Sequence, residues 1–252
     1  MKFSEITSSA YIKRELEAIK AYKPVCKDIL LVVKDQPECV KNCIESIFAH
    51  TNNFKLYIWD NGSREETANY LKEIDAYLHR EDTNIGFIKP NNRLAALGNS
   101  PYMILLNSDT IVSDLWDVAM ISWLQTHSKT KQVGYMGMKY VKCGQNNYDL
   151  QLSFDYDIDF VVGWCMCIPR EIYCQIGLFD EENLKFAFSE DADLSLRLKE
   201  AGHELYALYL PLVEHIGNQT IETLIAEEGP TKFAETSMKN GDYIRQRYLH
   251  KK

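Results

Sequence analysis

Apolar residues fall in short blocks whose spacing changes along the chain, with polar turns between them. Residues 5–22 place Ile6, Tyr11, Ile12, Leu16, Ile19 and Tyr22 at helical intervals, which predicts an amphipathic helix ended by Pro24. Residues 29–33 (Ile-Leu-Leu-Val-Val) are continuously apolar and rich in branched side chains, a pattern that suits a strand covered on both faces. Helical spacing returns over 37–50 through Val40, Cys43, Ile44, Ile47 and Phe48. Residues 56–59 predict a second buried strand, stopped by the turn signal Asp60-Asn61-Gly62-Ser63, with a helix expected to run on through Leu78. Residues 103–106 predict a further strand that ends at Asn107-Ser108-Asp109.

This βαβα-then-β order predicts an α/β protein with a mostly parallel sheet and flanking helices. Ligands of such sheets bind beyond the carboxyl ends of the strands, which is where Asp35, Asp60 and Asp109 stand. Tight turns favour the same residue types, so this placement marks an edge of the sheet before it marks a chemistry. The second half is less regular. Residues 160–168 predict a strand or a strand pair, and 169–176 a helix stopped by Gly177. Ser189 reads as the N-cap of a helix that runs to Gly202, residues 204–210 as a strand, and 220–249 as helix broken near Gly229 and Pro230.

Composition narrows the class. With 252 residues, 46% hydrophobic and 25% charged, the chain is long enough for a real core and is not a disordered or fibrous sequence. A net charge of -8 argues against broad nucleic-acid binding, which needs a basic footprint. No run approaches the roughly 20 apolar residues of a membrane span, and the N-terminus lacks a signal-peptide core. Seven cysteines, an odd number in a chain this size, read as free thiols rather than a disulfide framework, with Cys39 and Cys43 on one helix face and Cys165 and Cys167 on one strand face. These features point to a cytoplasmic setting.

Three constellations carry candidate chemistry. Glu190-Asp191-Ala192-Asp193 sets three carboxylates in four residues at an expected helix N-terminus. The macrodipole offsets part of their repulsion, and neighbouring carboxylates can hold a general base in a useful pKa range. Asp109, just after an apolar strand, could hold Mg²⁺ or Mn²⁺ shared with substrate phosphates, and His215 is a candidate partner in a mixed nitrogen and oxygen shell. Asn84-Ile85-Gly86-Phe87, followed by Asn91-Asn92-Arg93, offers a turn and a cation for a phosphate or an acid.

Taken in order over about residues 28–220, these segments resemble glycosyltransferase family 2, the inverting nucleotide-sugar enzymes. In particular they look like those of the rhamnosyltransferase-like branch that builds bacterial surface polysaccharides. The stretches that carry it are 29–33 and 43–47, 59–63, 84–87 with Asn91-Asn92, 105–109, Gly163-Trp164, 177–180, 190–197, Gly202, and 213–215. The resemblance implies a GT-A fold, a Rossmann-like nucleotide-binding three-layer α/β/α sandwich with a mostly parallel central sheet. It would form one domain over 1–252, with helical extensions at 1–24 and 220–252.

It also implies roles for the site residues. Asp191 is the catalytic base. Asp35, Asp60, Asn61, Asn92, Arg93, Asn107 and Ser108 are nucleotide-binding. Asp109 and His215 hold a divalent cation, Mn²⁺ or Mg²⁺, and Gly163, Trp164, Glu190 and Asp193 meet the donor or acceptor sugar. The implied partners are a UDP-, dTDP- or GDP-sugar donor and a glycan or lipid-linked acceptor. Peripheral contact with the inner face of a membrane would fall to the basic C-terminal residues Lys239, Arg245, Arg247, Lys251 and Lys252.

Three positions depart from the family pattern. Lys34-Asp35-Gln36 follows the first strand, Asn107 replaces the first acid of an Asp-x-Asp motif, and Leu94 stands where a glycine is usual. The amide at Asn107 keeps a second reading open, a non-catalytic nucleotide-sugar-binding or scaffold relative.

Overall fold

The computed structural model describes residues 10–144, 147–217 and 229–249. In chain order the elements begin α1 (Ala10–Lys20), β1 (Lys27–Val33), α2 (Pro37–His50), β2 (Phe54–Asp60), α3 (Glu65–Lys72), β3 (Tyr77–Arg80), α4 (Ile88–Leu97), β4 (Tyr102–Asn107), β5 (Thr110–Val112), α5 (Trp116–Thr126) and β6 (Thr130–Gly134). They continue with β7 (Gly137–Lys142), β8 (Tyr148–Ser153), β9 (Phe160–Val161), β10 (Cys165–Pro169), α6 (Arg170–Ile176), α7 (Glu190–Glu200), β11 (Glu204–Ala207), β12 (Val213–His215), α8 (Pro230–Ile244) and a π-helical turn, Arg245–Leu249.

Seven strands form one sheet in the order β11-β6-β10-β4-β1-β2-β3. All its pairings are parallel except those of β10, which runs antiparallel to β4 and β6. Strand alternation divides the apolar residues between two cores. On β1, β4 and β10 the residues Ile29, Leu31, Val33, Ile104, Leu106, Cys165 and Cys167 face α2 and α5, and the Ala18 face of α1 lies in the same core. Their neighbours Leu30, Met103, Leu105, Met166 and Ile168 face the other core, beneath α4, α6 and α7. Helices therefore cover both faces, as the continuous apolar strands require. All seven cysteines are free.

Several expectations are corrected. The helix expected to reach Leu78 stops at Lys72, and Tyr77–Arg80 pairs with β2 as the edge strand of the sheet. Ile74, Tyr77 and Leu78 continue the helical spacing of Leu71, but pairing with β2 overrides it. Ser189 occupies the position before α7 with a φ of 65° and makes no capping hydrogen bond, so it is not a working N-cap. The strand expected over 204–210 ends at Ala207. Of the helix expected over 5–22, the described part is Ala10–Lys20, and residues 1–9 lie outside the described residues. In the C-terminal stretch 220–228, Lys251 and Lys252 also lie outside them. Among the described residues no helix is long and apolar enough to cross a membrane.

Candidate functional site

The carboxyl ends of β1, β2 and β4 open on one edge of the sheet, and the antiparallel β10 makes that edge into a cleft. Because β10 starts where β4 ends, Cys165 pairs with Leu106 and the Asn107 N–H donates to the Trp164 carbonyl at 2.8 Å. That register sets Gly163 and Trp164 against Asn107 and Ser108. A second short pairing does the same for His215: β12 runs antiparallel to β5, His215 opposes Thr110, and the Ile216 N–H donates to the Asp109 carbonyl at 2.9 Å.

The cleft holds about 280 Å³. Eight of the residues expected at the site line it: Asn61, Asn107, Ser108, Gly163, Trp164, Glu190, Asp191 and His215. Lys34, Asn84, Gly86, Phe87, Phe186 and Phe188 are among the other residues of its walls. Buried polar atoms without a hydrogen-bond partner gather there. Asn107 Oδ1, Trp164 Nε1, Glu190 Oε2 and His215 Nε2 all belong to lining residues, and Asp109 Oδ1 lies directly behind His215. Burying such atoms unpaired costs roughly 1–3 kcal/mol each, so their convergence marks a place built to receive a polar ligand.

Asp191 is held from two sides. Its Oδ2 accepts the Gly163 N–H at 2.9 Å and its Oδ1 accepts the Ala192 N–H at 2.8 Å. An ionised carboxylate offers about four acceptor positions, so two remain for a ligand. Burial raises its pKa despite those two donors. Burial, reinforced by the neighbouring charge of Asp191, pushes Glu190 well above the usual carboxylate range. The two carboxyls share one buried environment that opposes ionisation of both.

Asp109 Oδ1 and His215 Nε2 face each other at 3.2 Å. The separation is short enough for an ion pair, yet neither atom satisfies hydrogen-bond geometry. Trp164 stacks on the His215 ring at 5.1 Å and 7°, which fixes the plane of the imidazole. A carboxylate and an imidazole with unpartnered atoms turned toward one another fit a divalent cation of the Mn²⁺ type. Among the described residues no cluster of three or more His, Cys, Asp or Glu side chains surrounds that point, so any further donors would be waters or substrate oxygens.

The remaining expected site residues lie outside the cleft lining, and most have partners of their own. Asp60, 1% exposed, pairs with Arg80, its register partner on β3, and accepts the Ser63 N–H at 2.8 Å. Asp35 pairs with Lys34 at 2.9 Å and accepts the Arg64 N–H at 2.6 Å. Burial pulls its pKa up, but those partners outweigh burial and hold it below the usual range. Asn92 ties α4 to the Phe179 backbone through bonds of 2.9 Å in both directions. Arg93 is exposed beside Trp59. Asp193 is fully buried, with Arg197 on one oxygen and the Tyr248 hydroxyl on the other, both at 2.7 Å. Asn61 lines the cleft and also shapes it: its amide donates to Asn84 and to the Gly86 carbonyl and accepts from the Ile85 N–H.

Residues 29–229 match the family described as Glycosyltransferase like family 2. The chain belongs to that family. Three solved structures resemble this family 2 chain in fold. Mannosyltransferase PcManGT from Pyrobaculum calidifontis, in complex with GDP-Man and Mn²⁺, superposes with a TM-score of 0.63 at 11% identity over 96% of this chain and 75% of that one. GalNAc-T7 with UDP, GalNAc and Mn²⁺ gives 0.62 at 13% identity over 76% and 44%. S. aureus TarS 1-349 gives 0.54 at 13% over 72% and 57%. The α/β architecture with a mostly parallel central sheet is thus that of the GT-A glycosyltransferases. Uncharacterized protein y4gI of Sinorhizobium fredii (strain NBRC 101917 / NGR234) is 25% identical over 210 residues, covering 69% of this chain and 23% of that protein. The family 2 chain therefore spans under a quarter of the length of that curated relative.

Sequence reasoning missed Phe186 and Phe188, which wall the cleft, and Asn240 behind them. Nothing local in 185–189 signals a wall, because its shape depends on a side chain more than 50 positions away.

Proposed function

We propose that this chain transfers a sugar from a nucleoside-diphosphate sugar to a hydroxyl of a glycan or lipid-linked acceptor, inverting the anomeric configuration, with Asp191 as general base. The observation that carries this reading is the placement of Asp191. It lies on the cleft wall, oriented by the Gly163 N–H, with acceptor capacity left over and a raised pKa that makes it a stronger base.

In that reading Asp191 takes the proton of the acceptor hydroxyl. The freed oxygen attacks the anomeric carbon, and the bond from that carbon to the diphosphate oxygen breaks with its electron pair leaving on the nucleotide. Asn61, Asn107, Ser108 and Lys34 line the side of the cleft formed by strand ends, where the nucleotide would sit. Asp109 and His215 would hold a divalent cation, which as a Lewis acid supplies charge neutralisation to the departing diphosphate. The fold neighbours solved with Mn²⁺ and a UDP or GDP compound support this assignment. Trp164 and Gly163 would contact the sugar, and Glu190, whose pKa burial raises, would hydrogen-bond a sugar hydroxyl. A surface-polysaccharide role of the rhamnosyltransferase-like kind follows from the sequence resemblance.

The test is calorimetric titration of UDP, dTDP and GDP with and without Mn²⁺ on the wild-type chain and Asp109→Ala. Binding of one nucleotide that needs Mn²⁺ and is lost in the variant is the expected result. A folded wild-type chain that binds none of the three refutes the donor-site assignment.

A further inference from the structure

The family match ends at residue 229, and α8 with its π-helical turn lies beyond it. Asn240, in α8, is 2% exposed and directs its side chain at the main chain of residues 185–188. Its Nδ2 donates to the carbonyls of Lys185, Ala187 and Phe188 at 3.0, 2.8 and 3.0 Å, two N–H groups shared among three acceptors. Its Oδ1 accepts the Lys185 N–H at 3.3 Å. The one carbonyl that Asn240 passes over, that of Phe186, accepts the N–H groups of Phe87 and Ile88 at the start of α4. Four consecutive carbonyls are thus clamped between α4 and α8.

The clamped backbone is strained, with one hydrogen bond of its own, from the Ala187 N–H to the Lys185 carbonyl at 2.8 Å. Phe186, Phe188 and Ser189 have φ values of 66°, 79° and 65°, a region that bulky L side chains avoid unless their surroundings impose it. Other contacts from the same C-terminal segment land close by. The Phe233 ring meets that of Phe188 edge-on at 4.7 Å, the Tyr243 hydroxyl reaches Asp180 Oδ2 at 3.2 Å, and the Tyr248 hydroxyl reaches Asp193 Oδ1 at 2.7 Å. Glu190 and Asp191 lie between these attachments.

Resting on the reading of Asp191 as the base, we propose that Asn240 is a positioning residue for it, clamping residues 185–188 so that α7 starts at Glu190 with Asp191 on the cleft wall. Without the clamp, the strained residues relax toward ordinary helical or extended φ, a rotation of roughly 120° or more at successive positions just before α7. The first turn of that helix then has no fixed origin. Because Asn240 bonds, among the described residues, to main chain alone, its effect does not depend on which side chains the loop carries.

The experiment compares the full chain with Asn240→Ala and with Met238→Ala, a control on the same helix whose side chain is 65% exposed. Amide hydrogen exchange is followed without ligand, and donor titration and transfer kinetics are measured alongside. In Asn240→Ala we expect exchange over 186–193 to quicken at least tenfold, kcat to fall at least tenfold, and the nucleotide Kd to stay within twofold. Met238→Ala matches wild type in each. Unchanged exchange over 186–193 overturns the proposal, and so does faster exchange with an unchanged kcat. If the wild-type chain transfers from no donor while exchange still responds, the clamp stands and the base assignment fails. Should Asn240→Ala not fold, Phe233→Ala loosens the same loop from its ring contact with α8 and is judged by the same outcomes.

Discussion

Gly86→Ala isolates the contact on which two loops of the cleft wall close. Gly86 has a φ of +91°, and a Cβ built there would lie 2.7 Å from Phe186 Cα and 2.9 Å from its carbonyl carbon, with the carbonyl oxygen closer still. The obstacle is backbone, so it cannot swing aside as a side chain could. Holding an L residue at that φ costs about 1–2 kcal/mol. Relieving the overlap also stretches the bonds from the Phe87 and Ile88 N–H groups to the Phe186 oxygen, now 2.6 and 3.2 Å, each worth about 0.5–1.5 kcal/mol. The loss should total about 2–5 kcal/mol, which for a chain of this size lowers Tm by roughly 5–15 °C. Urea denaturation followed by tryptophan fluorescence measures it. Gly144→Ala is the control, since among the described residues a Cβ there meets only the Asn147 side chain at 3.7 Å and the change should stay within about 0.5 kcal/mol. A Gly86→Ala chain as stable as the Gly144→Ala chain would refute the close approach of the 84–87 and 186–189 loops.

Other outcomes follow from the same geometry. Asp191→Asn should lower transfer roughly 10²–10⁴-fold while nucleotide Kd, measured by titration, stays within twofold. Glu190 has a folded pKa raised by burial to about 8, so its contribution to stability is complete at acid pH and is lost as pH rises from the ordinary glutamate range through about 8. Glu190→Gln cannot ionise, so its stability relative to wild type should increase over that window, and a difference in unfolding free energy that is flat with pH would contradict the shift. Arg170→Ala leaves Asp28, fully buried and paired to Arg170 at 2.6 Å, with an uncompensated charge. A loss of roughly 3–5 kcal/mol in chemical denaturation is expected.

Much of the sheet was legible in the sequence because its central strands are buried on both faces. Residues 29–33, 56–59 and 103–106 announce themselves as unbroken apolar runs, and the turn residues behind them mark the edge on which the cleft opens. The edge strand β3 was read as helix because its apolar spacing is neutral between the two, and only pairing with β2 decides. α5 offered no amphipathic signal: Trp116, Ala119, Met120, Ile121, Trp123 and Leu124 are buried on every side of it. Asn107, Asp191 and His215, which the fold brings to one cleft, were legible as candidates because each sits beside a strand end or a helix start. Asp60 and Asp193 show the limit of that logic, since the same carboxylate pattern also serves ion pairs with Arg80 and Arg197. The clamp by Asn240 was invisible, because an asparagine in an exposed-looking helix carries no mark of the backbone it will meet.

Asn240 has a counterpart at the other end of the chain. Glu15, on α1 and 1% exposed, accepts the Tyr209 and Leu210 N–H groups at 2.9 and 3.1 Å, with the Tyr206 hydroxyl at 3.0 Å. Both helices lie outside the stretch that matches the family, and among the contacts that moor each to it is a buried polar side chain that addresses chiefly peptide groups. Peptide groups are the same whatever residue carries them. An appendage docked this way can survive extensive drift in the domain beneath it, and can be inherited by distant members whose loop sequences share nothing except their course.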